Sequence, residues 1–141
     1  MKDFKLDPRL ANDCIVLGKL DFSFLLLMNN SLIPWFILVP ECSETEIMDL
    51  PHSEQARLLR EINIISSFTK SNFEIMKLNI AAIGNIVSQL HIHIIGRNHD
   101  DFCWPNVVWG STEKVSYTTE QVLNISSLLI NQLGKDFSTF S

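Results

Sequence analysis

Half of the chain's four histidines stand two residues apart in Gln89-Leu90-His91-Ile92-His93-Ile94-Ile95-Gly96-Arg97. A β-strand alternates its side chains, so Leu90, Ile92 and Ile94 belong to one face and Gln89, His91 and His93 to the other. Three nitrogen-bearing side chains then share one rail. Outward strand positions are usually filled by Thr, Lys, Glu or Ser, whereas imidazole brings chemistry near neutral pH. The plain alternative is an amphipathic strand whose outer positions happen to be histidine. Three kinds of chemistry suit such a rail. A His-x-His pair can bite zinc or iron, but a metal site needs a third and often a fourth ligand. His52, His99, the three cysteines and the carboxylates offer none at a recognisable spacing, so no metal is expected. An imidazole also attacks phosphorus well when its attacking nitrogen is deprotonated and the opposite N–H is tied to an acceptor. The third possibility is phosphate binding without chemistry.

The elements that must position this rail are legible around it. Cys14–Leu20, Ser23–Met28 and Phe36–Val39 are short runs of Ile, Val, Leu and Phe bounded by turn residues, and predict a three-stranded antiparallel meander. Leu58, Ile62, Ile65 and Phe68 recur at helical spacing and predict a helix over about 52–71, capped by Asp49 or Ser53 with Pro51 in its first turn. Leu78–Ile83 and Leu90–Arg97 read as two more strands joined by a turn at Gly84-Asn85. Residues 102–115 read as loop. Thr118-x-x-Gln121 is a capping-box pattern for a C-terminal helix over about 118–134, with Gly134 as its terminator, and the last seven residues are expected to be loose. The expectation is an α+β domain with a five-stranded antiparallel sheet, a long helix between strands three and four, and a C-terminal helix.

Composition narrows the partners. With 141 residues the chain is about one domain, and 46% hydrophobic against 19% charged residues is globular composition. A formal charge of -5 is the wrong sign for gripping a polynucleotide but admits a small anionic ligand held by a few aimed groups. Three cysteines without a Cys-x-x-Cys point to a reducing compartment, the amino terminus lacks a signal-like apolar core, and Asn29-Asn30-Ser31 with Pro34 split the most apolar stretch into strand-length pieces. A cytoplasmic protein without membrane attachment is expected.

The rail and its surroundings resemble a known family. Gln89-x-His91-x-His93-Ile94-Ile95 is similar to the His-φ-His-φ-His-φ-φ signature of the histidine triad (HIT) superfamily of nucleotide hydrolases and transferases, with Gln in place of the first histidine. Leu26-Leu27-Met28-Asn29 followed by Ile33-Pro34-Trp35-Phe36-Ile37-Leu38-Val39-Pro40 resembles the family's ribose-contacting strand, turn and Pro-x-His-x-Leu-Val-x-Pro strand. Asn79 and Gly84-Asn85 resemble elements ahead of the triad, and Trp104-Pro105 one behind it. The similarity runs in order over about residues 13–110, within a single domain of residues 1–141.

The resemblance implies that His91 is the nucleophile, forming a covalent nucleotidyl-histidine that water then hydrolyses, with His93 hydrogen-bonding the phosphate and bridging oxygens beside it. Asn85 and Gly84 would extend the phosphate cradle, Asn79 would belong to the same nucleotide-binding set, and Asn29 would take the ribose hydroxyls or simply serve the turn. It also implies a homodimer with the two sheets paired into one surface, and no resident cofactor, a divalent cation at most accompanying the substrate phosphates. The expected substrate is a dinucleoside polyphosphate or a nucleoside phosphoramidate. The rivals are a nucleotide-binding sensor or scaffold without turnover, and nucleotidyl transfer to phosphate or sugar phosphate. Two departures bear on this. Gln89, the third member of the expected catalytic set with His91 and His93, donates hydrogen bonds but cannot titrate, and Trp35 stands where many relatives carry a histidine, where packing is its expected role. Arg97 reads as an exposed structural arginine or a phosphate contact, and Trp104 and Trp109 as covers for a ligand, an interface or a small core cluster.

Overall fold

The computed structural model describes residues 3–140. Its strands are β1 (Cys14–Lys19), β2 (Ser23–Met28), β3 (Trp35–Pro40), β4 (Lys77–Ala81) and β5 (Ile92–Arg97), and its helices α1 (Pro8–Asp13), α2 (His52–Asn72) and α3 (Thr119–Leu133). The strands form one antiparallel sheet in the order β1-β2-β3-β5-β4, the expected meander with β5 added beside β3. This is the α+β architecture with the long helix between β3 and β4.

Strand alternation divides the core in two. Leu25, Leu27, Phe36, Leu38, Ile92 and Ile94 face α2 and α3, meeting Leu58, Ile65, Phe68, Ile125 and Leu129. Leu26, Trp35, Ile37, Val39 and Ile95 face the other way, against Leu10 of α1 and Val108 of the 102–109 loop. Every residue of β3 and β5 is buried, because both faces of the central strands are covered. The face carrying the histidines is therefore an interior wall, where the alternation alone suggests an outward one.

Five elements differ from expectation, the first being β4, which ends at Ala81 and leaves Ile83 in the connection to β5. The helix α1 was not foreseen, although Asp7 caps it by accepting from Arg9 N–H and Pro8 fills its first position. The long helix starts at His52 with Pro51 as an N-cap that makes no side-chain bond, while Asp49 lies in a preceding 3-10 turn. Strand β5 begins at Ile92, so His91 stands just ahead of it. The tail is not loose through Phe140, Ser141 lying outside the described residues. Phe137 is buried in the α2/α3 core, Ser138 pairs with Lys19, and the Phe140 ring lies tilted against Phe24. Gly18 makes this possible, since a Cβ there would lie 2.2 Å from the Ser138 carbonyl oxygen. The α3 boundaries follow the sequence: Thr118 and Gln121 form the reciprocal capping box, and Gly134, at φ 55°, closes the helix by donating to Ile130 O.

Candidate active site

His91 and His93 emerge on the same side of the sheet with ring centroids 5.0 Å apart, each nine-tenths or more buried. They line a cavity of about 490 Å³ together with Arg9, Asn12 and Asp13 of α1, Trp35 and Ile37 of β3, Gly84 and Asn85 of the β4–β5 connection, and Trp109. A larger hollow of about 750 Å³ between α2 and α3 contains no imidazole. Gly84 turns the chain at φ 68°, the left-handed conformation that glycine tolerates best, and so brings Asn85 to the cavity.

The two imidazoles are held in opposite tautomers. His91 Nδ1 lies 2.7 Å from the backbone carbonyl oxygen of Gln89. A carbonyl only accepts, so Nδ1 carries the hydrogen and the neutral ring keeps a lone pair on Nε2. His93 is reversed: Trp35 Nε1–H donates to its Nδ1 at 2.9 Å, which leaves the ring hydrogen on Nε2. Register explains the pairing. Ile37 lies opposite His93 and Trp35 opposite Ile95, so the indole is the diagonal neighbour of the imidazole on one face and long enough to reach it. Burial, with the neighbouring His91 adding to it, lowers His93 to about 4, so the ring is neutral near neutral pH. Trp109 meets His93 edge-on at 5.1 Å and Trp35 at 6.0 Å, closing the wall.

Gln89 is committed elsewhere. Its Oε1 accepts from Asp7 N–H and its Nε2 donates to Lys5 O, both at 2.8 Å, so it clamps the segment leading into α1. Arg9 continues that clamp by donating to Ile86 O, and pairs with Asp7. Asn79 and Asn29 are not brought to the cavity. Asn79 Oδ1 accepts from Arg97 Nη1, and Asn29 Oδ1 accepts from Tyr117 N–H, which favours the turn-and-tether role for Asn29. Arg97 is neither exposed nor at the cavity: it is 1% exposed, paired with Asp101 through two nitrogens, and donates to Asn106 O. The Asp101 carboxyl is pushed up by burial, but the hydrogen bonds from Arg97 and the backbone outweigh this and hold it at about 2. Trp104 lies beside Arg97 and His99, away from the two imidazoles. The sequence left Trp109 open among several covers and did not single out Arg9, which is the only lysine or arginine lining the cavity among the described residues. The Asp7-Pro8 helix-start signal was the local clue to Arg9. Trp35 packs as expected, yet its hydrogen bond to His93 required knowing the β3–β5 register.

Among the described residues no three His, Cys, Asp or Glu side chains gather to hold a metal, and no helix is long and apolar enough to cross a membrane.

The fold and the site together define a class: an α+β domain that presents paired imidazoles, one on a central antiparallel strand and one just ahead of it, to a small-ligand cavity. The chain belongs to the histidine triad family, whose HIT domain model matches residues 9–100. It is similar over almost its whole length to solved bacterial histidine triad proteins. That of Marinobacter aquaeolei is 42% identical, covering 94% of this chain and 98% of that one at a TM-score of 0.88. That of Bradyrhizobium japonicum is 39% identical, covering 92% and 97% at 0.87. A Sulfolobus tokodaii protein described as a hypothetical histidine triad nucleotide-binding protein shares the fold, at a TM-score of 0.62 and 13% identity over 91% of this chain and 92% of that one. None of the curated proteins matches the chain significantly.

Proposed function

We propose that this protein hydrolyses a nucleotide phosphoanhydride or phosphoramidate through a covalent intermediate on His91. The observation that carries the reading is the 2.7 Å contact of His91 Nδ1 with the Gln89 carbonyl, which in the neutral form of this cavity-lining ring places the lone pair on Nε2. In the first step His91 Nε2 bonds to the α-phosphorus and the leaving group departs with the electrons of its bond to phosphorus. In the second, water attacks the same phosphorus, the P–N electron pair returns to His91 Nε2, and a nucleoside monophosphate is released with the water's proton passing to solvent. His93 Nε2–H donates to a phosphate or bridging oxygen. Arg9 and the Asn85 amide offer donors for the outer phosphates, and any divalent cation arrives with the substrate.

Intact mass after brief exposure to a dinucleoside polyphosphate at low temperature tests this directly. The expected result is an adduct of one nucleoside monophosphate mapped to His91 and absent from His91→Ala. Nucleotide binding with neither adduct nor turnover would replace the hydrolase by a sensor, a reading favoured by the non-titrating Gln89. Product formed only with added phosphate or sugar phosphate would replace hydrolysis by transfer.

The protein acts in the cytoplasm and pairs with a second copy along β4 in this reading. That edge has no partner strand among the described residues, and Met76 and Ile80 are exposed beside it. Sedimentation as a monomer at micromolar concentration would refute the pairing.

A further inference from the structure

Trp35 decides what His93 can do with its proton. An indole Nε1 only donates, so the 2.9 Å contact requires Nδ1 of His93 to present a lone pair. Protonating Nδ1 would set two N–H groups head to head in a wall where His93 is 6% exposed. The contact therefore excludes the imidazolium as long as it is made. The titratable and charged groups around the ring are His91 beside it, just ahead of the strand, and, from α1 across the cavity, Asp13 and Arg9, the latter paired with Asp7. Burial acts in the same direction, favouring the neutral ring.

A neutral imidazole with its hydrogen on Nε2 donates a hydrogen bond but does not surrender that proton, since an imidazolate would remain. The consequence falls on the leaving group. When His91 bonds to phosphorus, the group opposite departs with an electron pair. A phosphate or polyphosphate tail departs as a stable oxyanion and needs only the hydrogen bond. An amine must receive a proton at its nitrogen as the P–N bond breaks, or it departs as an amide anion. Gln89 supplies no proton, because its amide does not titrate and is held by Lys5 and Asp7.

We propose that Trp35 is a positioning residue that makes the site selective for oxyanion leaving groups: nucleoside and dinucleoside polyphosphates are substrates, and nucleoside phosphoramidates of alkyl amines are not. This selectivity rests on the nucleotidyl-His91 chemistry proposed above.

The test compares kcat/KM on a dinucleoside polyphosphate and on the matched nucleoside alkylphosphoramidate, with His91 adduct formation followed by mass, in the wild type, Trp35→Phe and Trp35→Gln. The wild type is expected to favour the polyphosphate by roughly 100-fold or more near neutral pH, the usual scale of a general acid's contribution. Trp35→Gln sets an amide oxygen where it can accept from a protonated Nδ1, and Trp35→Phe removes the opposing donor. Both should narrow the ratio and add a phosphoramidate limb that rises toward acid pH. A purely structural role for Trp35 would lower both activities together, leave the ratio and pH profile unmoved, and overturn the proposal. Equal wild-type rates on the two substrates would also overturn it, with or without folded variants, while a His91 adduct would keep the hydrolase reading intact. Absence of adduct and turnover with both substrates would instead remove the hydrolase reading and the selectivity with it.

Discussion

Replacing His93 by Asn keeps an oxygen acceptor near the place where Nδ1 now receives the Trp35 hydrogen bond, and removes the titrating ring. In the folded protein burial, then His91, hold His93 down to about 4, against an ordinary value of 6.5. The unfolded chain therefore binds a proton between these values that the folded protein refuses, and stability rises with pH wherever the unfolded state holds more protons. The His93 contribution is fully present above about 6.5, declines as pH falls toward 4, and is constant below it. The whole interval is worth about 3 kcal/mol, of which about 2 kcal/mol should be visible between pH 7 and pH 4.5. Asp101 does not intrude, because its stabilisation is present above 3.8 and lost only as pH falls toward about 2. Glu61 acts in the opposite sense over part of the window, since burial raises its carboxyl, but it is common to both proteins and cancels in their difference. Urea unfolding of wild type and His93→Asn at the two pH values measures that difference, and a typical denaturant dependence makes it a relative midpoint change of about 1 M. Parallel pH dependences in the two proteins would show that His93 is not held neutral by the fold.

Gln89→His should give no gain in turnover, because position 89 is committed to the Lys5–Asp7 backbone; loss of that clamp should cost about 1–2 kcal/mol in denaturant unfolding, and a tenfold faster enzyme would refute this. Arg97→Met should cost about 3–5 kcal/mol by leaving the buried Asp101 charge unpaired, whereas adding Asp101→Asn should recover part of it. Additive losses in that double-mutant cycle would refute the buried pair. Gly96→Ala places a Cβ 2.6 Å from Ile75 and 2.9 Å from Pro34 and should cost about 1–3 kcal/mol, and an unchanged urea midpoint would show that the Ile75 and Pro34 side chains yield freely.

What could be read in advance was local. Period-two alternation placed Leu90, Ile92 and Ile94 opposite His91 and His93, and the Thr118–Gln121 box with Gly134 bounded α3. The unread features join residues far apart in the chain. Trp35 reaches His93 across a register that neither strand encodes alone, Gln89 meets a segment more than eighty residues earlier, and Asn79 serves Arg97 through the β4–β5 pairing. Arg97 looked exposed because a charged residue at a strand end usually is, and only the returning loop with Asp101 and Asn106 buries it. The α1 helix is different: its Asp7-Pro8 start was in plain view, and a six-residue helix is simply too short to show a hydrophobic period.

The complementary tautomers explain why the site is built on the two central strands. A nucleophile with a lone pair turned to the cavity and a donor that must not titrate are opposite demands on the same side chain, placed two residues apart. A backbone carbonyl meets the first at His91 and an indole N–H meets the second at His93, and neither partner can change its hydrogen-bonding role. A histidine in place of Trp35 could donate or accept, and would let His93 exchange its proton. The indole fixes that choice through the β3–β5 register. At this wall specificity for the leaving group is consequently a property of strand pairing as much as of the two imidazoles, and a Trp35→His variant should acquire both the second protonation state of His93 and its pH dependence.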